Sequence, residues 1–403
     1  MSGKPWLLMA AMILTTGGVV RAAEADSGKQ RPAVASDRRV ASDQLTALEA
    51  LGRTRISAIQ AADIVRKTVE GDCLLASLSL TATEEGPQWR AVVVTNDGSK
   101  SVYIDVATGK ASEPQAGRER VLNPNKTPLP KEAVLKDMIQ RTLATVPDGF
   151  VYSAQPSVSG RGPAYEIRLL TAGGFKRAVM RSRDVVEVED ETGGLALRTF
   201  DDLPVGKTPE QWSIKQNHPT KGLATWQVKA DPGALTAPNV LSVETQNEKA
   251  TFNLAIIEGT SFHDLSIHVH LRANTGKIDQ GGGLVWRMRD ENNYYVCRLN
   301  PLESNYRVYK VVDGKRTQLG SADVKAEAGQ WYSLLVVMIG DHIRCRLDGK
   351  KLLDLQDDTF KDAGMIGLWT KADASSSFDN LAVREIPVQE MPRRLPTTTR
   401  PTK

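Results

Sequence analysis

The alternation of apolar and polar positions along this chain changes period twice, and each change marks a different kind of unit. From Ile56 to Lys67 (ISAIQAADIVRK), Ile56, Ile59, Ala62, Ile64 and Val65 form one stripe at helical spacing, with Ser57 placed to cap the first turn. Leu74–Thr83 and Trp89–Thr95 then read as strands. The second runs through Asn96-Asp97-Gly98, a hairpin signal, into a third strand at Ser101–Asp105. The order returns further on: Pro130 suits a first helical turn, Lys131–Leu143 continues the helix, and strands follow at Tyr165–Thr171, Arg177–Arg181 and Val185–Val188. Beyond Leu195 the period is β throughout. Strands are predicted at Val240–Thr245, Leu265–Leu271, Leu284–Met288, Tyr294–Leu299, Arg307–Val312, Trp331–Met338, Ile343–Leu347, Met365–Thr370 and Phe378–Val383. Turns such as Asp313-Gly314-Lys315 and Asp348-Gly349-Lys350 separate them, which predicts a sandwich or jelly roll.

The first two units read as an internal duplication. WRAVVVTNDG from Trp89 lies over YEIRLLTAGG from Tyr165, and YIDVATGK from Tyr103 over EVEDETGG from Glu187. The order resembles the PepSY domain, through Ile56, Ser57 and Ala61 of an early helix and Ile104, Asp105, Thr108 and Gly109 of a terminal strand and turn. The second copy keeps the order together with Glu189, Thr192 and Gly193. The resemblance implies two α+β units, at 55–115 and 126–195, that meet other proteins of the cell envelope. That domain is associated with secreted peptidases, but no protease lies in this chain, and the Thr-Gly pair reads as a structural turn.

The two ends point to export. Lys4, the apolar stretch Trp6–Val20 and the small residues around Ala23-Glu24-Ala25 predict a signal peptide over 1–25. The stretch is short for a bilayer span, which needs about 20 residues, and no later segment is apolar enough. The expected location is periplasmic or extracellular. Residues 26–54 read as a flexible linker and 387–403, rich in Pro, Thr and Arg, as a disordered tail. Fifty-two basic against 48 acidic residues give a net charge of +4, too even a balance to suggest nucleic acid. Of the three cysteines, Cys297 and Cys345 share the parity of apolar neighbours and read as buried thiols, a disulfide between them being the alternative.

The strings FDDLPVGKTPEQW, GGGLVWRMRDENNYYVCRLNPLESNYRVYKVVDGKR, GQWYSLLVVMIGD, RLDGKKLLDL and GMIGLWTKADASSSFDNLAV resemble the 3-keto-disaccharide hydrolase-like domain, a concanavalin or laminin-G type jelly roll, over 198–386. The whole then reads as a multidomain chain: two small α+β PepSY-like units followed by an all-β concanavalin-like jelly-roll sandwich. The resemblance implies a carbohydrate-linked role outside the cytoplasm.

Catalysis finds little support in the sequence. A glycosidase needs two carboxylates across the scissile bond, and no strand of the sandwich carries acids at i, i+2 and i+4 on one face. A sugar-binding face is easier to build. Arg287, Tyr294, Arg298 and Asn300 lie opposite the apolar parity of Leu284, Trp286, Tyr295 and Leu299, and Trp369 can join them, the alternative being a core tryptophan. Asp264, His268 and His270 share a strand face and read either as a metal pair with an acid or as polar residues on a wet face. Jelly rolls often tie their first and last strands with a hard cation, so Asp201, Asp202 and Asp379 are candidate ligands of a structural Ca²⁺. The expectation is a glycan-binding envelope protein without catalysis; the alternative is a secreted glycoside hydrolase of the 3-keto-disaccharide type.

Overall fold

The computed structural model describes residues 31–117, 135–159, 162–181, 184–191 and 194–387. The predicted signal peptide, the tail from 388, Pro130 and Lys131 of the second helix, and the pair Thr192-Gly193 lie outside the described residues.

Among the described residues, three helices, α1 (Arg31–Leu51), α2 (Ala58–Thr68) and α3 (Leu135–Thr145), accompany the N-terminal strands. Helix α1 takes up 31–51 of the expected flexible linker, 26–54. Its sequence carries no stripe because its C-terminal part is covered on every side: Ala47, Leu48, Glu49 and Ala50 are all at most 1 % exposed. Helix α2 starts as predicted, with the Ser57 side chain accepting from Gln60 N and the Gln60 side chain accepting from Ser57 N.

The strands β1 (Cys73–Thr83), β2 (Gly86–Thr95), β3 (Gly98–Asp105), β4 (Gln115–Ala116), β5 (Phe150–Ser159), β6 (Gly162–Thr171), β7 (Gly174–Arg181) and β8 (Asp184–Asp190) form one antiparallel sheet. Its order, β4-β3-β2-β1-β5-β6-β7-β8, joins two meanders through their first strands, where Leu78 faces Ala154 and Ser79 faces Ser153. The matching hairpins are built alike. Thr95 Oγ1 donates to the Gly98 carbonyl and Thr171 Oγ1 to the Gly174 carbonyl, at 3.0 and 2.9 Å. The Asp-x-x-Thr-Gly segment is a turn in which Asp105 accepts from Thr108 N and Oγ1, and Gly109 takes a φ of +75°.

The sandwich follows. Short β9 (Ala196–Arg198) leads to β10 (Trp212–Asn217), β11 (Thr225–Ala230), β12 (Asn239–Glu244), β13 (Phe252–Phe262), β14 (Leu265–Thr275), β15 (Gly283–Asp290) and β16 (Asn293–Asn300). Then come β17 (Asn305–Val312), β18 (Lys315–Asp323), β19 (Trp331–Ile339), β20 (His342–Leu347), β21 (Lys350–Gln356), β22 (Gly364–Lys371) and β23 (Ser375–Glu385). One sheet runs β10-β13-β22-β15-β16-β17-β18 and the other β11-β12-β23-β14-β19-β20-β21, with β9 on β23. Between them lies the main core, where Trp286 stacks on Tyr295 and Trp226 on Phe378 at 5.7 and 5.6 Å. Cys297 and Cys345 enter it from opposite sheets as free thiols, both beside Tyr306, and burial pushes the Cys297 thiol up to about 11. Among the described residues no helix is long and apolar enough to cross a membrane.

The N-terminal sheet and the sandwich are packed together. Leu195, Leu197 and Ala382 join the N-terminal core, and α1 lies against β19 on the outer face of the second sandwich sheet. Ion pairs cross this contact, among them Arg346–Glu49 at 3.1 Å and Arg53–Asp348 at 2.9 Å.

Candidate functional site

Strand alternation divides the first sandwich sheet into two faces. Tyr295, Cys297 and Leu299 of β16 point into the main core, so Tyr294, Val296, Arg298 and Asn300 point outward. Trp369 of β22, Phe252 of β13 and Tyr309 of β17 share the outer face and pack with Tyr294 and Val296 in a second apolar cluster. Four of the five residues predicted for a sugar face therefore meet here: Tyr294, Arg298, Asn300 and Trp369. Arg287 does not join them. A bulge in β15 puts it at a φ of +46°, and its guanidinium donates to the carbonyls of His263 and Phe360 and to Asp264.

The polar part of this face centres on Asp279, 1 % exposed, which sequence reading did not single out. Its carboxylate accepts from Lys371 Nζ and Asn300 Nδ2, both at 2.8 Å, and from Arg298 Nη1 at 3.3 Å. Arg298 Nη2 turns the other way, to Glu303 at 2.9 Å and Asn305 Oδ1 at 3.0 Å, and Arg307 reaches the same Glu303 oxygen at 3.0 Å. Arg316 of β18 stands 4.2 Å over the Tyr309 ring and 5.5 Å from that of Phe252. The Asp279 loop is pinned by Asp373, which accepts from the backbone N–H groups of Lys277, Ile278 and Asp279. The glycine run that follows lets strands approach: a Cβ on Gly283 would stand 1.9 Å from the Cys297 carbonyl oxygen.

Several polar atoms of this face are buried without a hydrogen bond of good geometry: Arg298 Nε and Arg316 Nη1, the Tyr294 hydroxyl and Trp369 Nε1, which lie beside each other, and the Tyr309 hydroxyl beside Arg307. The rings of Tyr294 and Trp369 are fully covered, edge and face alike. The face reaches solvent beside Glu303 and Arg307, whose side chains are 39 % and 31 % exposed.

Burial works against ionisation of Glu303, but hydrogen bonds and charge from Arg298, with Asn305 and Arg307, outweigh it and bring its carboxyl down to about 2. Carboxyls moved the opposite way lie elsewhere. Burial lifts Glu49 and Asp379 to about 7, and raises Asp43, Asp201 and Asp348, all on the N-terminal side or the second sheet.

The two candidate metal sets are not assembled. His268 and His270 face α1, not water, with ring centroids 4.7 Å apart; His268 bonds the Asn380 carbonyl and Ser333 Oγ, and burial brings it down to about 4. His270 has no hydrogen-bond partner of good geometry, and Asp264 is engaged by Arg287 and Gly340 N. For the expected Ca²⁺, Asp379 already accepts from Leu235 N, Thr236 N, Thr236 Oγ1 and Asn380 N. Asp201 lies close enough to raise Asp379, yet Asp202 is exposed on the Arg198 side. Donor-saturated Asp379 does not fit a hard cation, and among the described residues no group of three or more His, Cys, Asp or Glu is placed to hold one.

Residues 198–384 match the family described as the 3-keto-alpha-glucoside-1,2-lyase-like domain. No curated protein matches the chain. Solved structures similar to it include carbohydrate binding module CBM66 from Bacillus subtilis, at 18 % identity over 43 % of this chain and 96 % of that one, with a TM-score of 0.36. The cellulose induced protein Cip1 is similar at 12 % identity, covering 48 % and 98 %, TM-score 0.38. The exoplasmic/lumenal domain of VIP36 in its Ca²⁺/Man-bound form is similar at 13 %, covering 48 % and 91 %, TM-score 0.35.

Proposed function

We propose that the sandwich binds a glycan on the outer face of its first sheet and does not cleave it. One observation carries this reading: guanidinium nitrogens of Arg298 and Arg316 are buried there without hydrogen-bond partners, beside the Tyr294 and Tyr309 hydroxyls and the Trp369 indole N–H, whose contacts with one another and with Arg307 lack good hydrogen-bond geometry. Each such group costs about 1–3 kcal/mol until something bonds it, and sugar hydroxyls are donors and acceptors suited to the task. The family match favours a second reading, bond cleavage in a 3-keto-glycoside. A general acid for that chemistry needs a raised carboxyl pKa, and Glu303, on this face, has been moved down.

In this proposal the chain acts outside the cytoplasm after loss of residues 1–25, and the N-terminal α+β layer serves as a PepSY-like interaction module for another envelope protein. Calorimetry of the full chain against a glycan panel, with product analysis after long incubation, tests it. The expected result is saturable binding with no new reducing ends. Turnover abolished by replacing one Asp or Glu establishes the hydrolytic reading instead.

A further inference from the structure

We propose that the glycan bound at this face carries a carboxylate, as a uronic acid does, and that Arg316 receives it. This rests on the glycan-binding reading above and specifies its ligand. The two carboxylates of the cluster are held by other groups. Asp279 is held by Lys371, Asn300 and Arg298, and Glu303 by Arg298, Asn305 and Arg307. Among the described residues no carboxylate stands within ion-pair distance of Arg316, and its Nη1 is buried without a hydrogen bond.

What Arg316 has instead is ring surface. Tyr309 and Phe252 flank its guanidinium, which fixes the plane of the fork without using its N–H groups. A half-buried guanidinium stacked in this way, beside a second arginine whose Nε is also unpartnered, is short of acceptors. A neutral sugar brings hydroxyls that both donate and accept. A uronate brings two acceptor oxygens in the planar spacing that a guanidinium fork matches.

The test is titration calorimetry of the full chain with galacturonate, glucuronate and mannuronate tetrasaccharides, each beside its carboxyl-reduced counterpart and a sulfated neutral tetrasaccharide. The expected result is a preference of about tenfold or more for one uronate over its reduced form. That preference should be lost in Arg316→Gln, be weakened in Arg316→Lys, and shrink in the native chain as salt rises. Equal affinity for acidic and reduced sugars overturns the inference while leaving glycan binding in place, as does an intact preference in a folded Arg316→Gln. Tighter binding of the sulfated sugar overturns the carboxylate assignment. Binding of none of these sugars, or of any in a wider neutral panel, overturns the glycan-binding reading itself.

Discussion

Glu49 of α1 meets Arg346 of β20 at 3.1 Å with its own side chain only 1 % exposed, so a carboxyl of the N-terminal layer is sealed against the sandwich. The contact is too bent to count as a hydrogen bond, and Arg346 spends its N–H groups on the Gly349 carbonyl. Desolvation therefore outweighs the arginine's attraction and lifts Glu49 to about 7.

The sign of the consequence is fixed. A carboxyl raised in the folded state holds its proton more tightly there than in the unfolded chain. Its stabilising term is fully present below the unfolded value of 4.5 and is lost as pH rises through about 7. Glutamine does not titrate. Glu49→Gln should gain on the native chain by up to about 3 kcal/mol between about pH 4.5 and pH 8. Urea unfolding of both proteins across that range measures it; a constant difference would show that Glu49 is not sealed at the contact.

His268 works in the opposite direction. Its ring is fully buried between the Asn380 carbonyl and Ser333 Oγ, and desolvation depresses it from 6.5 to about 4. The stability it contributes is present above 6.5 and lost as pH falls through about 4. His268→Gln should therefore lose less stability than the native chain on acidification, by up to about 3 kcal/mol over that window. Thermal unfolding at about pH 7 and about pH 4.5 checks the direction, and equal acid sensitivity in both proteins would count against a neutral buried ring.

Local signals in the sequence were accurate where one side chain decides the outcome. Ser57 caps α2, and the turns after Thr95 and Thr171 close as their glycines suggest. Strands with one buried face, such as β16, were legible from alternation. Strand β13 was not, because its residues fill the main core on one side and the second apolar cluster on the other, leaving no polar parity. Helix α1 escaped for the same reason. The site was half legible: Tyr294, Arg298 and Asn300 share one strand, whereas Asp279, Glu303, Arg316 and Lys371 reach them from separate segments that only pairing brings together. Arg287 was misplaced by a bulge that no period reveals.

The Tyr294 hydroxyl lets stability and binding be separated. It is buried beside Trp369 without a hydrogen bond of good geometry, so it costs the free protein something it recovers only with ligand. Tyr294→Phe keeps the ring and removes that atom. The folded protein should gain about 1 kcal/mol or stay unchanged, while glycan affinity falls about tenfold. A loss of stability with unchanged affinity would make the hydroxyl an ordinary core group.

The separation of binding from cleavage rests on Glu303. With its carboxyl near 2 it stays ionised at mildly acidic and neutral pH, and Arg298 and Arg307 both bond its Oε2. Glycan affinity should therefore be flat between about pH 4.5 and pH 8, because the carboxylate does not take up a proton there. Glu303→Gln should weaken binding by releasing Arg298 from one of its two carboxylate partners, and should do so equally at every pH in that range. Neither protein should generate new reducing ends. A bell-shaped profile of product release, with an acidic limb that disappears in Glu303→Gln, would give this residue a proton to transfer and make the sandwich an enzyme.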